Sequence, residues 1–231
     1  EAERGNEHGL VYRLNARYPG RLAKLCARND KYLVHVSTDY VFDGAQASAP
    51  YRESDPTHPL CWYAQTKLDG EQQLRQANGS ACIARIEMPF TAWPHRKGDF
   101  ARMCLARLEA GQELAGVTDQ RITPVFLDDA VEALARLAER RISGIVHVAA
   151  TSWTTPYEFA RSIALKTGHD TELVKPMTFE SFASRRPARR PQHSWLDARY
   201  AETLIGSGVL RPIDEQLDAW VAQLRAVSSQ V

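Results

Sequence analysis

Short apolar runs alternate with longer stretches in which apolar residues recur every three to four positions. Residues 32–37, 81–86 and 144–149 are apolar runs of strand length, bounded by turn residues. Residues 10–28, 62–76, 100–110 and 128–141 carry helical spacing, although Pro19-Gly20 predicts an interruption in the first. Asp128 or Asp129 is the expected cap of the 128–141 helix, with Val131, Leu134, Leu137 and Ala138 as its buried stripe. Thr155-Pro-Tyr-Glu158 reads as a capping box with proline at the first helical position and Gly168 as the stop. Asp214 opens a last helix whose Leu217, Trp220, Val221 and Leu224 share one face. Residues 122–127 are expected to be a short extended segment. Strands alternating with helices predict an α/β fold with a mostly parallel sheet.

Composition narrows the function classes. Among 231 residues, 44% are hydrophobic and 25% charged, an ordinary globular balance. The net charge of +1 argues against a bulk nucleic-acid binder, and no apolar run reaches the ~18 residues of a membrane span. Cys26, Cys61, Cys82 and Cys104 show no paired spacing, and the histidines are scattered. No metal site or disulfide frame is expected, and a reducing, cytoplasmic setting is.

The chemistry concentrates between Tyr32 and Lys67. An apolar strand delivers Ser37, Thr38 and Asp39 to its C-terminal end, where α/β proteins bind ligands. One helix later, Tyr63 and Lys67 stand four residues apart on one helical face. A phenol is a poor acid near neutral pH, and a neighbouring ammonium favours its ionised form. The pair suits proton donation to a carbonyl. Alternation along the strand turns Ser37 to the face opposite Thr38.

Tyr63-x-x-x-Lys67 with an upstream Ser/Thr resembles the short-chain dehydrogenase/reductase pattern. The longer phrase Ser37-Thr-Asp-Tyr-Val-Phe-Asp-Gly44, followed by Tyr51-Arg-Glu-Ser-Asp-Pro56, resembles dTDP-4-dehydrorhamnose reductases. The resemblance covers nearly the whole chain and is most specific over 32–71. It implies a partial Rossmann-type doubly wound parallel sheet over 1–90. A smaller, mainly substrate-binding region follows over 91–231, with 122–149 returning to the main sheet.

It also implies reduction of a 4-keto nucleotide sugar with NADPH or NADH, with Thr38, Tyr63 and Lys67 as the catalytic set. Lys67 would also bind a cofactor ribose hydroxyl. Asn15 matches a helix Asn that supports the catalytic lysine, and Ser37 adjoins the cofactor. Met88, Pro89 and Phe90 resemble the loop flanking the nicotinamide. Asp39 and Tyr40 are expected at the substrate. Asp119-Gln120-Arg-Ile-Thr-Pro124 matches a substrate segment in part, since its Thr precedes the Pro. Arg189-Arg190-Pro191, with Ser194 and Leu196-Asp197, resembles a phrase whose guanidinium suits a sugar-linked diphosphate.

Members of the family are often dimers, so a homodimer is among the expected assemblies. An epimerase or dehydratase using the same residues ranks lower. A non-catalytic subunit is the other alternative, because the beta subunit of methionine adenosyltransferase carries a similar phrase. Family enzymes begin with a strand, a glycine-rich turn and a helix that hold the cofactor pyrophosphate. Nothing before Tyr32 fits that pattern, so the chain is expected to start inside the fold. These 231 residues alone are then expected to bind dinucleotide weakly or not at all.

Overall fold

The computed structural model describes residues 9–94 and 98–228. The chain enters through one helical rod of three geometries: α1 (Leu10–Tyr12), a π-helical turn (Arg13–Arg17) and α2 (Tyr18–Arg28). The expected interruption at Pro19-Gly20 takes this form. Pro19 lies in the first turn of α2 and has no N–H to give to the carbonyl of Asn15, four residues back. The helix widens at that point, as such bulges do where a ladder bond is lost.

Next come β1 (Val34–Thr38), a 3₁₀ turn (Asp39–Val41) and, after a long loop, α3 (Trp62–Ala77) and β2 (Cys82–Ile86). α4 (Phe100–Glu109), β3 (Leu114–Val117), α5 (Leu127–Glu139) and β4 (Gly144–Val148) continue the alternation. α6 (Pro156–Thr167), β5 (Val174–Met177), α7 (Phe179–Ala183), α8 (Arg199–Ile205) and α9 (Ile213–Ser228) complete it. β1, β2 and β4 form a parallel sheet in that order, with Val34, Cys82 and Gly144 in register. β3 and β5 form a second, two-stranded parallel sheet.

The entry helix lies against α3 through small residues. Ala16, Gly20 and Ala23 are buried, and a Cβ on Gly70 of α3 would sit 2.0 Å from the Asn15 carbonyl oxygen. This close approach fixes the helix that carries Tyr63 and Lys67. On the α3 side of the sheet, register aligns Ser37, Arg85 and His147 in one buried polar row. Arg85 forks onto Glu71 of α3, Nε to Oε1 at 3.1 Å and Nη2 to Oε2 at 2.7 Å, and the Ser37 hydroxyl donates to Oε1 at 2.5 Å. The other side of the sheet packs Ala84, Val146 and Val148 against Ala130, Ala133 and Leu137 of α5.

That helix departs from the expected stripe. It starts at Leu127, its N-cap is Phe126 without a side-chain bond, and Val131 is 56% exposed. The buried face is Asp129, Ala130, Ala133 and Leu137, one step round from the predicted one. Asp129 turns inward because Arg211 pairs with its carboxylate. Capping at α6 follows the sequence: the Thr155 hydroxyl accepts from the Glu158 N–H, and Gly168 is left-handed at φ 76°. Leu217, Trp220 and Val221 of α9 are buried, against Phe90 and Phe159.

Candidate active site

The site is built at the C-terminal end of β1. Thr38 ends the strand, and its side chain caps the 3₁₀ turn by accepting from the Tyr40 N–H at 3.3 Å. The Thr38 hydroxyl donates to Asp39 Oδ1 at 2.9 Å. Tyr40 meets Tyr63 edge to face at 6.3 Å between ring centroids. Arg190 Nη1 donates to the Tyr40 hydroxyl at 2.7 Å. The structure therefore brings together Thr38, Asp39, Tyr40, Tyr63 and Arg190 from three distant stretches of chain.

Burial and the nearby Asp39 push the Tyr63 phenol above its ordinary pKa, while the Thr38 hydroxyl draws it down. Burial, then Asp39, pushes Tyr40 up to about 12. Lys67 is held below the usual lysine range by burial. Its ammonium donates to the Val36 carbonyl at 2.8 Å, on the outer edge of β1.

Other expected residues fall in different places. Asn15 donates its amide to Thr66 Oγ1 at 3.0 Å, so it supports the helix beside Lys67. Ser37 is buried on Glu71, on the α3 face away from Thr38. Phe90 is 1% exposed and packs on Phe126, Phe159 and Trp220. An apolar residue just after the strand here joins the core. Met88 is half-buried with φ 39°, a sparsely populated conformation for a residue with a side chain. Asp39 is 3% exposed, behind Thr38. Gln120 Nε2 donates to the Pro191 carbonyl at 3.4 Å, tying its loop to the Arg190 segment.

Glu87 is the residue that sequence reasoning missed. It follows β2 and is fully buried. Oε2 accepts from the Thr123 N–H at 2.7 Å and the Thr123 hydroxyl at 2.6 Å, and Oε1 accepts from the Ser194 hydroxyl at 2.8 Å. Burial raises its pKa, and Asp39 is raised well above the carboxylate range by burial and by Glu87. The available signal was a carboxylate set between Ile86 and Met88-Pro89-Phe90 at a strand end.

Residues 1–226 match a family model described as RmlD substrate binding domain. The chain is 36% identical over 202 residues to a dTDP-4-dehydrorhamnose reductase of Mycobacterium tuberculosis, covering 84% of this chain and 64% of that protein. It is 30% identical over 205 residues to methionine adenosyltransferase 2 subunit beta of Pongo abelii, covering 86% and 60%. The chain thus spans somewhat less than two thirds of these relatives' lengths. Among solved structures, a dTDP-4-dehydrorhamnose reductase of Clostridium acetobutylicum superposes with a TM-score of 0.83 at 30% identity, over 93% of this chain and 73% of that one. A Bacillus anthracis dTDP-4-dehydrorhamnose reductase in complex with NADP superposes at 0.82 with 23% identity, over 95% and 77%.

Proposed function

The chain belongs to the RmlD substrate-binding-domain family, and on that footing we propose that its protein reduces the 4-keto group of a nucleotide sugar with a nicotinamide cofactor. The observation that carries the reading is the bond from Lys67 to the Val36 carbonyl of β1 at 2.8 Å, which holds α3, with Tyr63 one turn before Lys67, against the strand that ends in Thr38. Relatives named as dTDP-4-dehydrorhamnose reductases support the substrate class. The bound nicotinamide would supply hydride to the ketone carbon.

Tyr63 gives its phenolic proton to the carbonyl oxygen. Thr38 hydrogen-bonds the same oxygen and orients it. Lys67 spends one of three N–H donors on Val36, which leaves two for a ribose hydroxyl and the phenol. Arg190, bonded to the Tyr40 hydroxyl, is the guanidinium we assign to a sugar-linked diphosphate. Tyr63→Phe in the full-length protein is expected to cut turnover by ~10²-fold or more while the thermal melt stays put. Retained turnover sinks the reading.

A second reading, a binding subunit without sugar turnover, is favoured by the likeness to methionine adenosyltransferase 2 subunit beta. It predicts stable association with a synthetase and no reduction of any keto-sugar nucleotide by the isolated protein.

A further inference from the structure

Arg190 shares its surroundings with a second guanidinium that the proposed reduction does not yet use. Phe182 of α7 carries both: the guanidinium carbon of Arg186 lies 4.8 Å from its ring centroid and that of Arg190 5.9 Å. Arg190 also lies 5.9 Å from the Tyr40 ring centroid and gives Nη1 to the Tyr40 hydroxyl at 2.7 Å. Tyr40 in turn meets Tyr63 edge to face at 6.3 Å. A continuous row of contacts runs from Arg186 through Phe182, Arg190 and Tyr40 to the proposed proton donor.

Two like charges drawn to one ring repel each other, and the attraction of the ring for each is small. Among the described residues no carboxylate pairs with either guanidinium. An anion that reaches both relieves the repulsion. Stacking on a ring face also leaves the in-plane N–H groups of a guanidinium free. Arg186 is exposed and makes no side-chain hydrogen bond among the described residues, so its donors are available. Each guanidinium presents a fork that matches one phosphoryl group. A diphosphate offers two such groups side by side, and a monophosphate only one.

Position selects the ligand as well. In a 4-keto nucleotide sugar the ketone and the diphosphate stand on opposite sides of one sugar ring. Tyr40 stands in the same way between Tyr63 and Arg190.

We propose that Arg186 and Arg190, held by Phe182, clamp the two phosphoryl groups of the nucleotide sugar, so that Arg186 makes the site select a nucleoside diphosphate over a monophosphate. The clamp rests on the reductase reading and adds a specificity-determining residue to it. Arg186 binds through its own fork, while Phe182 is a positioning residue that acts through the two arginines.

Isothermal titration calorimetry of the full-length protein with dTDP and with dTMP tests the clamp. Wild type should bind dTDP the more tightly. Arg186→Ala should weaken dTDP by about tenfold or more and dTMP by much less, so the preference shrinks. Arg186→Lys should recover only part of the loss, because an ammonium makes no fork. Phe182→Ala should lose affinity for dTDP too, and adding Arg186→Ala to it should cost little more. Arg185 supplies the control: it is exposed, adjacent and of the same charge, and it stacks on no ring among the described residues. Arg185→Ala should change either affinity by no more than about twofold.

Equal losses in Arg186→Ala and Arg185→Ala overturn the clamp, as does an equal loss for the two nucleotides or a wild type that binds no dTDP. If the clamp result holds and no keto-sugar nucleotide is reduced, the reductase reading fails and Arg186 stands as part of a nucleoside-diphosphate site.

Discussion

The Lys67 ammonium donates to the Val36 carbonyl at 2.8 Å, so the cation one turn from Tyr63 is tethered to the outer edge of β1. Among the described residues that edge has no partner strand. Lys67 therefore joins the helix carrying the phenol to the strand carrying Thr38. Lys67→Met removes both the charge and the tether. The expected loss is ~10²-fold in kcat/KM for keto-sugar reduction by the full-length protein. Lys67→Arg should recover little, because a planar guanidinium does not replace a compact ammonium at such a site. Wild-type turnover in Lys67→Met would remove this residue from the proposed mechanism.

Gly70 is where α3 touches the entry helix. An added Cβ would stand 2.0 Å from the Asn15 carbonyl oxygen, and that atom belongs to backbone that cannot swing aside. Gly70→Ala should destabilise by about 1–3 kcal/mol, as overpacking does. It should also pull Asn15 from Thr66 and lower turnover beyond what the stability loss explains. Gly79→Ala is the control, since open space surrounds that position. Equal denaturation midpoints for the two variants would contradict the packing argument.

The three strands of the main sheet were legible because each is an apolar run closed by turn residues. β3 and β5 were not. Each is four residues long, one holds Gly116 and the other Pro176, and each finds its partner some sixty residues away. Gly116 is needed because Tyr157 Cα would lie 2.5 Å from a Cβ there, a contact with no local signature. On α5, helical spacing was right and the facing was wrong, because Arg211 draws Asp129 inward and rolls Val131 out. At the site, Thr38, Tyr63 and Lys67 follow from local spacing. Glu87 does not, because its hydroxyl partners Thr123 and Ser194 lie 36 and 107 residues further along.

His147 makes stability acid-sensitive. It is fully buried between Phe42 and the Arg85 row, and burial, with Arg85 adding to it, pushes its pKa down to about 3. Below its ordinary value near 6.5 the unfolded chain binds a proton that the folded chain refuses. Its contribution is therefore complete above about pH 6.5 and is lost as pH falls toward 3. His35, lowered to about 4 by burial and Lys67, acts in the same direction. Asp39 and Glu87, raised by burial, oppose it by keeping protons when folded. A difference measurement isolates the histidine. Relative to His147→Gln, wild type should lose stability at about 1.4 kcal/mol per pH unit between pH 6 and 4. Parallel pH profiles in urea would contradict this.

The strongest structural prediction concerns Arg85 and Glu71, each with a side chain 2% exposed and joined at 2.7 Å. Glu71 satisfies Arg85 with both oxygens and takes the Ser37 hydroxyl as well, so one carboxylate closes the sheet against α3. Removing it leaves a buried guanidinium without the carboxylate that bonds it. Glu71→Gln should cost about 3–5 kcal/mol, more than the pair itself contributes, because a buried ion pair repays little beyond its own desolvation. The double variant Glu71→Leu with Arg85→Met removes both charges and should recover most of that loss. Tyr63 lies on the same helix, two turns before Glu71, so the single variant should also raise KM by loosening α3 over β1. Chemical denaturation of wild type, Glu71→Leu, Arg85→Met and the double variant closes the cycle, with Glu71→Gln measured beside them. A double variant as unstable as Glu71→Gln would mean that the ion pair contributes specific packing which apolar side chains cannot replace.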